Sequence, residues 1–199
     1  MTSRGYAVLS FDQIGFGTRV EHAKEFYLRY PKWSLLGKMV ADTRAAISAA
    51  SSLDSVDASR IYLLGYSLGG KVALWTAALG ARPAGIVSVA GLIPLRTSKG
   101  TEGLYAYSHL HGLVPRFGFY VDRPASLPMD YDDLLRGIGK RKALLVTPRH
   151  DRYADASALQ RMLRNFPEMD VRSPEDFNRF SPDTQKIVFD WLYGQRVQP

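Results

Sequence analysis

Apolar and polar positions in this chain fall into blocks whose period switches from short continuous runs to helical spacing and back. Tyr6-Ala7-Val8-Leu9-Ser10-Phe11 is a β-prone run ending at Asp12 and the turn signal Gly15-Phe16-Gly17, which predicts a strand and then a loop. From Leu35 to Ala50, Leu36, Met39, Val40, Ile47 and several alanines recur at helical spacing until Ser51-Ser52 and Asp54-Ser55 interrupt them, predicting a helix packed on one face. Ile61 to Leu64 reads as a buried strand, Lys71 to Leu79 as a helix closed by Gly80, and Gly85 to Ala90 as a second buried strand. Ala143 to Thr147 repeats the strand pattern. A helix follows from about Ala154 to Asn165, then a weak strand at Met169 to Arg172 and a last helix from about Pro182 to Tyr193. Strands separated by helices predict an α/β fold with a mostly parallel sheet and helices on both faces, a three-layer αβα arrangement.

Between Gly91 and Gly139 the alternation lapses. This stretch carries Pro94, Pro115, Pro124 and Pro128 together with Tyr105, Tyr107, Phe117, Phe119, Tyr120 and Tyr131. It predicts an irregular insertion over about 91–139, either a cap on the substrate side or a long connection held down by its aromatics.

Composition narrows the picture. At 199 residues, 46% of them hydrophobic, the chain is long enough for one well-buried core and short for two domains, so a single domain over 1–199 is expected. The net charge of +7 raises nucleic-acid binding, but Lys and Arg are spread along the chain. The densest run, Gly139-Lys140-Arg141-Lys142, sits before a strand where basic residues commonly occupy a solvated face, so no nucleic-acid partner is expected. The absence of cysteine excludes disulfides, thiolate metal sites and a Cys nucleophile. No apolar stretch approaches the roughly 20 residues that span a bilayer. Met1-Thr2-Ser3-Arg4 leads into the first β-prone run without the shape of a signal peptide, so no membrane partner and a cytoplasmic location are expected.

The candidate chemistry centres on Gly65-Tyr66-Ser67-Leu68-Gly69, a G-x-S-x-G match between a predicted strand and a predicted helix, the context of a nucleophile elbow. A sharp turn of this kind strains the serine backbone and brings its flanks together, which predicts that only small residues fit at 65 and 69. At a helix N-terminus, Ser67 lies near unpaired N–H groups and the positive end of the dipole, and the N–H of Leu68 is the natural oxyanion donor. An ordinary Gly-rich turn is the plain alternative. A phosphate loop would need Ser or Thr after Lys71, where Val72 stands.

A serine nucleophile needs a base, and the base an orienting acid, in the chain order Ser, Asp or Glu, His. Asp151, in the loop after the Ala143–Thr147 strand, has the acid's place, and Asp155 reads better as a helix N-cap. The base is expected after the last strand, yet His22, His109, His111 and His150 all precede it. The expected slot holds Asn178, whose amide is no proton acceptor at neutral pH. His150 is a weak candidate, because adjacent residues in an extended segment point apart; His109 and His111 are candidates from the insertion. The base is left unknown.

The stretches GYAVLSFDQIGFGTR, GYSLGGKVAL, ALLVTPRHD and FDWL, distributed over most of the chain, resemble the α/β-hydrolase superfamily and, within it, bacterial esterases similar to dienelactone hydrolases and acetylxylan esterases. The resemblance implies a serine-dependent hydrolase of carboxylic esters, with acylated carbohydrates or other small esters as substrates, Ser67 as nucleophile, Asp151 as acid, Leu68 as oxyanion donor, and neither cofactor nor metal. Such enzymes carry earlier strands and a His-Gly type loop that supplies a second oxyanion N–H; this sequence begins after them, as an N-terminally truncated hydrolase would. Their closing GHGF-like run, which holds the catalytic His, corresponds here to Asn178-Arg179-Phe180. The resemblance therefore also supports a second reading, a catalytically impaired hydrolase-like chain. A sheet edge stripped of its neighbours implies self-association into a homo-oligomer.

Overall fold

The computed structural model describes residues 2, 5–97 and 103–197. These pack into two units, one of Met1–Ala58 and Leu95–Pro128, the other of Ser59–Pro94 and Met129–Pro199.

The first unit contains the short helix α1 (Phe26–Arg29) and the long helix α2 (Leu35–Ser51). Ser34 caps α2, its Oγ accepting from Gly37 N at 3.0 Å, and the predicted apolar face is buried through Leu35, Leu36, Met39 and Val40. The segment 95–128 joins this unit as a π-turn at Ala106–Leu110 and 3-10 turns at Pro115–Tyr120 and Pro124–Ser126. Leu36 N donates to Leu113 O at 3.1 Å, and the Tyr27 hydroxyl donates to Gly112 O while accepting from Leu35 N. The strand predicted over Tyr6–Phe11 does not form. Val8 and Leu9 are 54% and 61% exposed, and the run pairs with no strand of the described sheet. Strand propensity describes a side chain's fit to a pleated, half-buried surface, and without a partner ladder these residues stay as coil. The turn after it is as predicted, with Gly15 and Gly17 at positive φ.

The second unit is the sheet. Strands β1 (Tyr62–Tyr66), β2 (Gly85–Val89), β3 (Lys142–Val146) and β4 (Asp170–Arg172) pair in sequence order and all in parallel, with Leu64 opposite Val87, Val87 opposite Leu144 and Leu144 opposite Asp170. The central strands β2 and β3 carry the buried apolar runs, as parallel strands covered on both faces do. Helices α3 (Leu68–Ala78), α4 (Tyr131–Ile138), α5 (Ala156–Leu163) and α6 (Pro182–Val197) alternate with them. Gly70 of α3 lies against Ser88, while a Cβ on Gly85 would meet Trp191 of α6 at 3.1 Å. Residues 85 and 88 point to opposite faces of β2, so α3 and α6 cover opposite faces and the three-layer arrangement holds.

Within the stretch predicted to be irregular, α4 is a regular helix. Asp130 and Asp133 form a capping box at its start, and Gly139, at φ +63°, ends it. Arg141 also departs from the solvated face assigned to the basic run. Its guanidinium donates to Ile138 O, Gly137 O and Ala81 O, each at 2.7 Å, tying the end of α4 to the segment after α3. Arg141→Ala is expected to lower unfolding free energy by about 2 kcal/mol, since three carbonyls lose a charged donor; urea denaturation measures it, and an unchanged midpoint would mean water serves those carbonyls equally well. Among the described residues no helix is long and apolar enough to cross a membrane.

Candidate active site

The carboxyl end of β1 turns into α3 through one residue. Ser67 has φ 51° and ψ −113°, a sparsely populated conformation for a residue with a Cβ, and it persists because its surroundings over-determine it. Its N–H donates to Val89 O at 2.8 Å and its carbonyl accepts from Lys71 N at 3.1 Å, so β2 holds the turn from one side and α3 from the other. At the neighbouring strand end Ala90 shares the strain, with φ also 51°.

The glycines divide their duties differently from the prediction. A Cβ on Gly65 would lie 2.1 Å from the Gly69 carbonyl carbon and oxygen, so position 65 admits only glycine. A Cβ on Gly69 would meet nothing within 4 Å; what matters at 69 is its backbone, lying against residue 65. A second close approach joins Gly70 to Gly91, where a Cβ on Gly91 would come 2.6 Å from Gly70. Together they bring the start of α3 down onto the ends of β1 and β2.

Ser67 is the N-cap residue of α3, but its side chain does not cap it. Leu68 is the first helical residue, and its N–H has no intrahelical carbonyl to donate to. It stands at the positive end of an 11-residue helix dipole, an arrangement suited to a developing oxyanion.

Asp151 lies in the loop after β3 and is 7% exposed. That loop and the one after β4 are joined by backbone bonds from Arg149 N to Pro174 O and from His150 N to Asp176 O, both 2.9 Å. The pairing brings Asn178 to Asp151: its Nδ2 donates to Asp151 Oδ2 at 3.0 Å, while Tyr153 N donates to Oδ1 at 2.9 Å. Asn178 thus makes the hydrogen bond that a histidine N–H would make in the same slot, but offers no basic lone pair. Tyr66 holds the loop from the elbow side, its hydroxyl donating to Asn178 O at 2.8 Å and its ring stacked on Phe180. Burial and the Asp151 charge push the Tyr66 hydroxyl above its usual range. Asp176 braces the loop from below by accepting from Ser181 Oγ, Arg179 Nε and Phe177 N, bonds that hold its carboxyl below the ordinary carboxylate range.

The remaining candidates go elsewhere. His150 Nε2 is 3.2 Å from Glu175 Oε2 and its ring packs near Phe177. His109 bonds Ser108 Oγ and stacks on Tyr105 within the first unit, where His22 and His111 are exposed. Asp155 caps α5, accepting from Ala158 N at 3.0 Å, as predicted. Among the described residues no group of three or more His, Asp or Glu side chains could hold a metal ion. Lys71 escaped the sequence reading. Burial pushes its ammonium down to about 8, partly opposed by Asp151. Its signal was present in the sequence as the single charged residue of an otherwise apolar helix, four residues after Ser67.

A strained serine between a parallel strand and a helix, with a buried aspartate behind the next strand but one, defines the α/β-hydrolase class of fold. The chain belongs to the alpha/beta hydrolase family, whose model matches residues 2–195. Among curated proteins it is similar to YtaP of Bacillus subtilis (strain 168), which its name assigns provisionally to the hydrolases, at 28% identity over 81% of this chain and 52% of that one. Among solved structures it is similar to a CE15 glucuronoyl esterase from Teredinibacter turnerae T7901 (TM-score 0.70, 16% identity, 83% of this chain and 47% of that one). It is also similar to a glucuronoyl esterase from Solibacter usitatus (0.68, 18%, 82% and 49%) and to the acetyl xylan esterase from Paenibacillus sp. R4 (0.56, 17%, 80% and 53%). The chain spans about half the length of the relatives it matches.

Proposed function

We propose that this chain is the serine-bearing part of a hydrolase of carboxylic esters, with Ser67 as nucleophile, the Leu68 N–H as oxyanion donor and Asp151 as the acid. The observation that carries this reading is the backbone of Ser67. Holding a residue with a Cβ at positive φ is unfavourable by about 1–3 kcal/mol, and strain of this kind clusters at functional sites, here at the strand ends that carry Ser67 and its neighbour Ala90. Esterases of acylated or esterified sugars among the similar structures make esters of carbohydrates the first substrates to try.

Asn178 favours a second reading, a hydrolase-like chain with crippled acylation, because the place of the base is filled by a neutral amide. One experiment separates the two. Incubation with a fluorophosphonate is expected to add one phosphonyl group to Ser67, seen by intact mass and lost in Ser67→Ala. A folded chain that forms no adduct, and turns over p-nitrophenyl acetate no faster than Ser67→Ala does, sinks the enzyme reading.

A further inference from the structure

Helix α5 does not close completely onto the edge of the sheet. Ala156, Leu159, Gln160, Leu163 and Arg164 recur at i, i+3, i+4, i+7 and i+8, so they form one face of the helix. That face borders a pocket of about 370 Å³ against the end of β4, the edge strand of the described sheet. The opposite wall holds Val171 together with Thr147 and Ser173, whose hydroxyls bond each other at 2.9 Å. Val171 lies opposite Leu145, and Thr147 and Ser173 come two residues later in their chains, so all three face the same side of the sheet. Protein interiors hold few voids larger than a water, and a gap of about a dozen waters at ~30 Å³ each has the size of a ligand site rather than of a packing fault.

The polar groups of this pocket are unequally served. Arg149 Nη1 pairs with Glu175 Oε1 at 2.5 Å on an exposed rim. The side chains of Arg164 and Gln160 have no hydrogen-bond or ion-pair partner among the described residues, and no carboxylate lines the pocket. These two lie one helical turn apart, so a guanidinium and an amide donor stand side by side on the same face. Leu159 and Pro148, with Leu163 and Val171, supply an apolar remainder. One uncompensated positive charge beside an apolar hollow suits a monoanion that carries an apolar tail.

We propose that this pocket binds the anion of a medium-chain carboxylic acid, its carboxylate held by the Arg164 guanidinium and the Gln160 amide and its chain lying against Leu159, Leu163 and Val171. A carboxylate accepts two parallel N–H bonds from one guanidinium. A phosphate dianion is better served by two cations, and the second one here, Arg149, is taken by Glu175. The volume admits about a dozen non-hydrogen atoms, which octanoate satisfies and a long-chain acid exceeds. The site uses neither Ser67 nor Asp151, so it stands or falls apart from the hydrolase reading.

The test is calorimetric titration of the intact chain with octanoate, octanamide and acetate at fixed ionic strength, repeated with Arg164→Gln and Ala156→Trp. Octanoate is expected to bind one-to-one with a dissociation constant of about 1 mM or tighter, and to shift the backbone amide signals of Gln160, Arg164 and Ser173 in the nitrogen-15 spectrum. Octanamide, of the same size without the charge, is expected to bind about 10-fold more weakly. Arg164→Gln should cost octanoate the same factor of about 10 and leave octanamide unaffected, while the indole of Ala156→Trp fills the hollow and removes both. Positions 156 and 164 are exposed, so both unliganded variants should melt with the intact chain. Equal affinity for octanoate in the intact chain and in Arg164→Gln overturns the site, as does acetate binding as tightly as octanoate, which would mark an adventitious ion only. Binding that survives Ala156→Trp, or no saturation by octanoate at about 10 mM, overturns it as well. Failure of Ser67 to label with a fluorophosphonate would leave every one of these outcomes where it is.

Discussion

Asn178→His raises the rate of Ser67 acylation by p-nitrophenyl acetate by about 10²–10⁴-fold at neutral pH, the usual contribution of a positioned general base. The expectation rests on the seat that residue 178 already occupies. Its side chain donates to Asp151 Oδ2, its carbonyl accepts from Tyr66, and its loop is bonded to the acid loop through Arg149 and His150. An imidazole placed there would give its N–H to Asp151 and present its other nitrogen as a base titrating near 6.5. The rate of acylation should therefore rise through that pH as the imidazole loses its proton. A stable Asn178→His chain whose Ser67 labels no faster would show that the slot after β4 is not aligned with the serine.

Gly65→Ala is expected to destabilise the fold by about 4 kcal/mol or more, among the larger effects of a single substitution, and to lower the melting temperature by about 8–16 °C. The new methyl would sit 2.1 Å from the Gly69 carbonyl and 2.5 Å from Gly70 N, both backbone atoms of the first turn of α3. No rotamer relieves such a clash; the helix must lift off the strand, and the serine turn goes with it. Gly69→Ala is the control. Its methyl meets no atom, and alanine is the better helix former by about 1 kcal/mol, so stability should hold or rise. Equal melting temperatures for Gly65→Ala and the unaltered chain would mean the contact between 65 and 69 is slack.

Local features of this chain were legible in its sequence, and features that depend on distant segments were legible in proportion to how far the chain order constrains them. The serine turn is local: five residues, a strand before and a helix after suffice to place it. The helices of 17 and 16 residues announce themselves by period, whereas α4, at 8 residues, is hidden by lying at the end of a stretch dense in prolines and aromatics. Its capping pair Asp130 and Asp133 was the usable sign. Asn178 could be assigned to the base's slot because the order Ser, Asp, His fixes which loop to inspect. That its amide would bond the aspartate 27 residues away depends on how two loops zip together. Tyr6–Phe11 shows the opposite limit, since apolar β-branched and aromatic letters describe a willing strand without saying whether a partner is there. Lys71 carries a mark in the sequence as the single charge of an otherwise apolar helix, but its desolvation is a property of the packed chain that the letters alone do not state.

The brace that Tyr66 and Asp176 form around residue 178 bears on how activity at this site can be gained or lost over generations. Asn and His codons differ at a single base, so the side chain at 178 can alternate between amide and imidazole in one mutational step, while the paired loops and the stacked Tyr66 and Phe180 rings that hold it take many steps to assemble. A chain carrying this scaffold with asparagine therefore stands one base change away from one carrying it with histidine, with the brace already built around the new side chain.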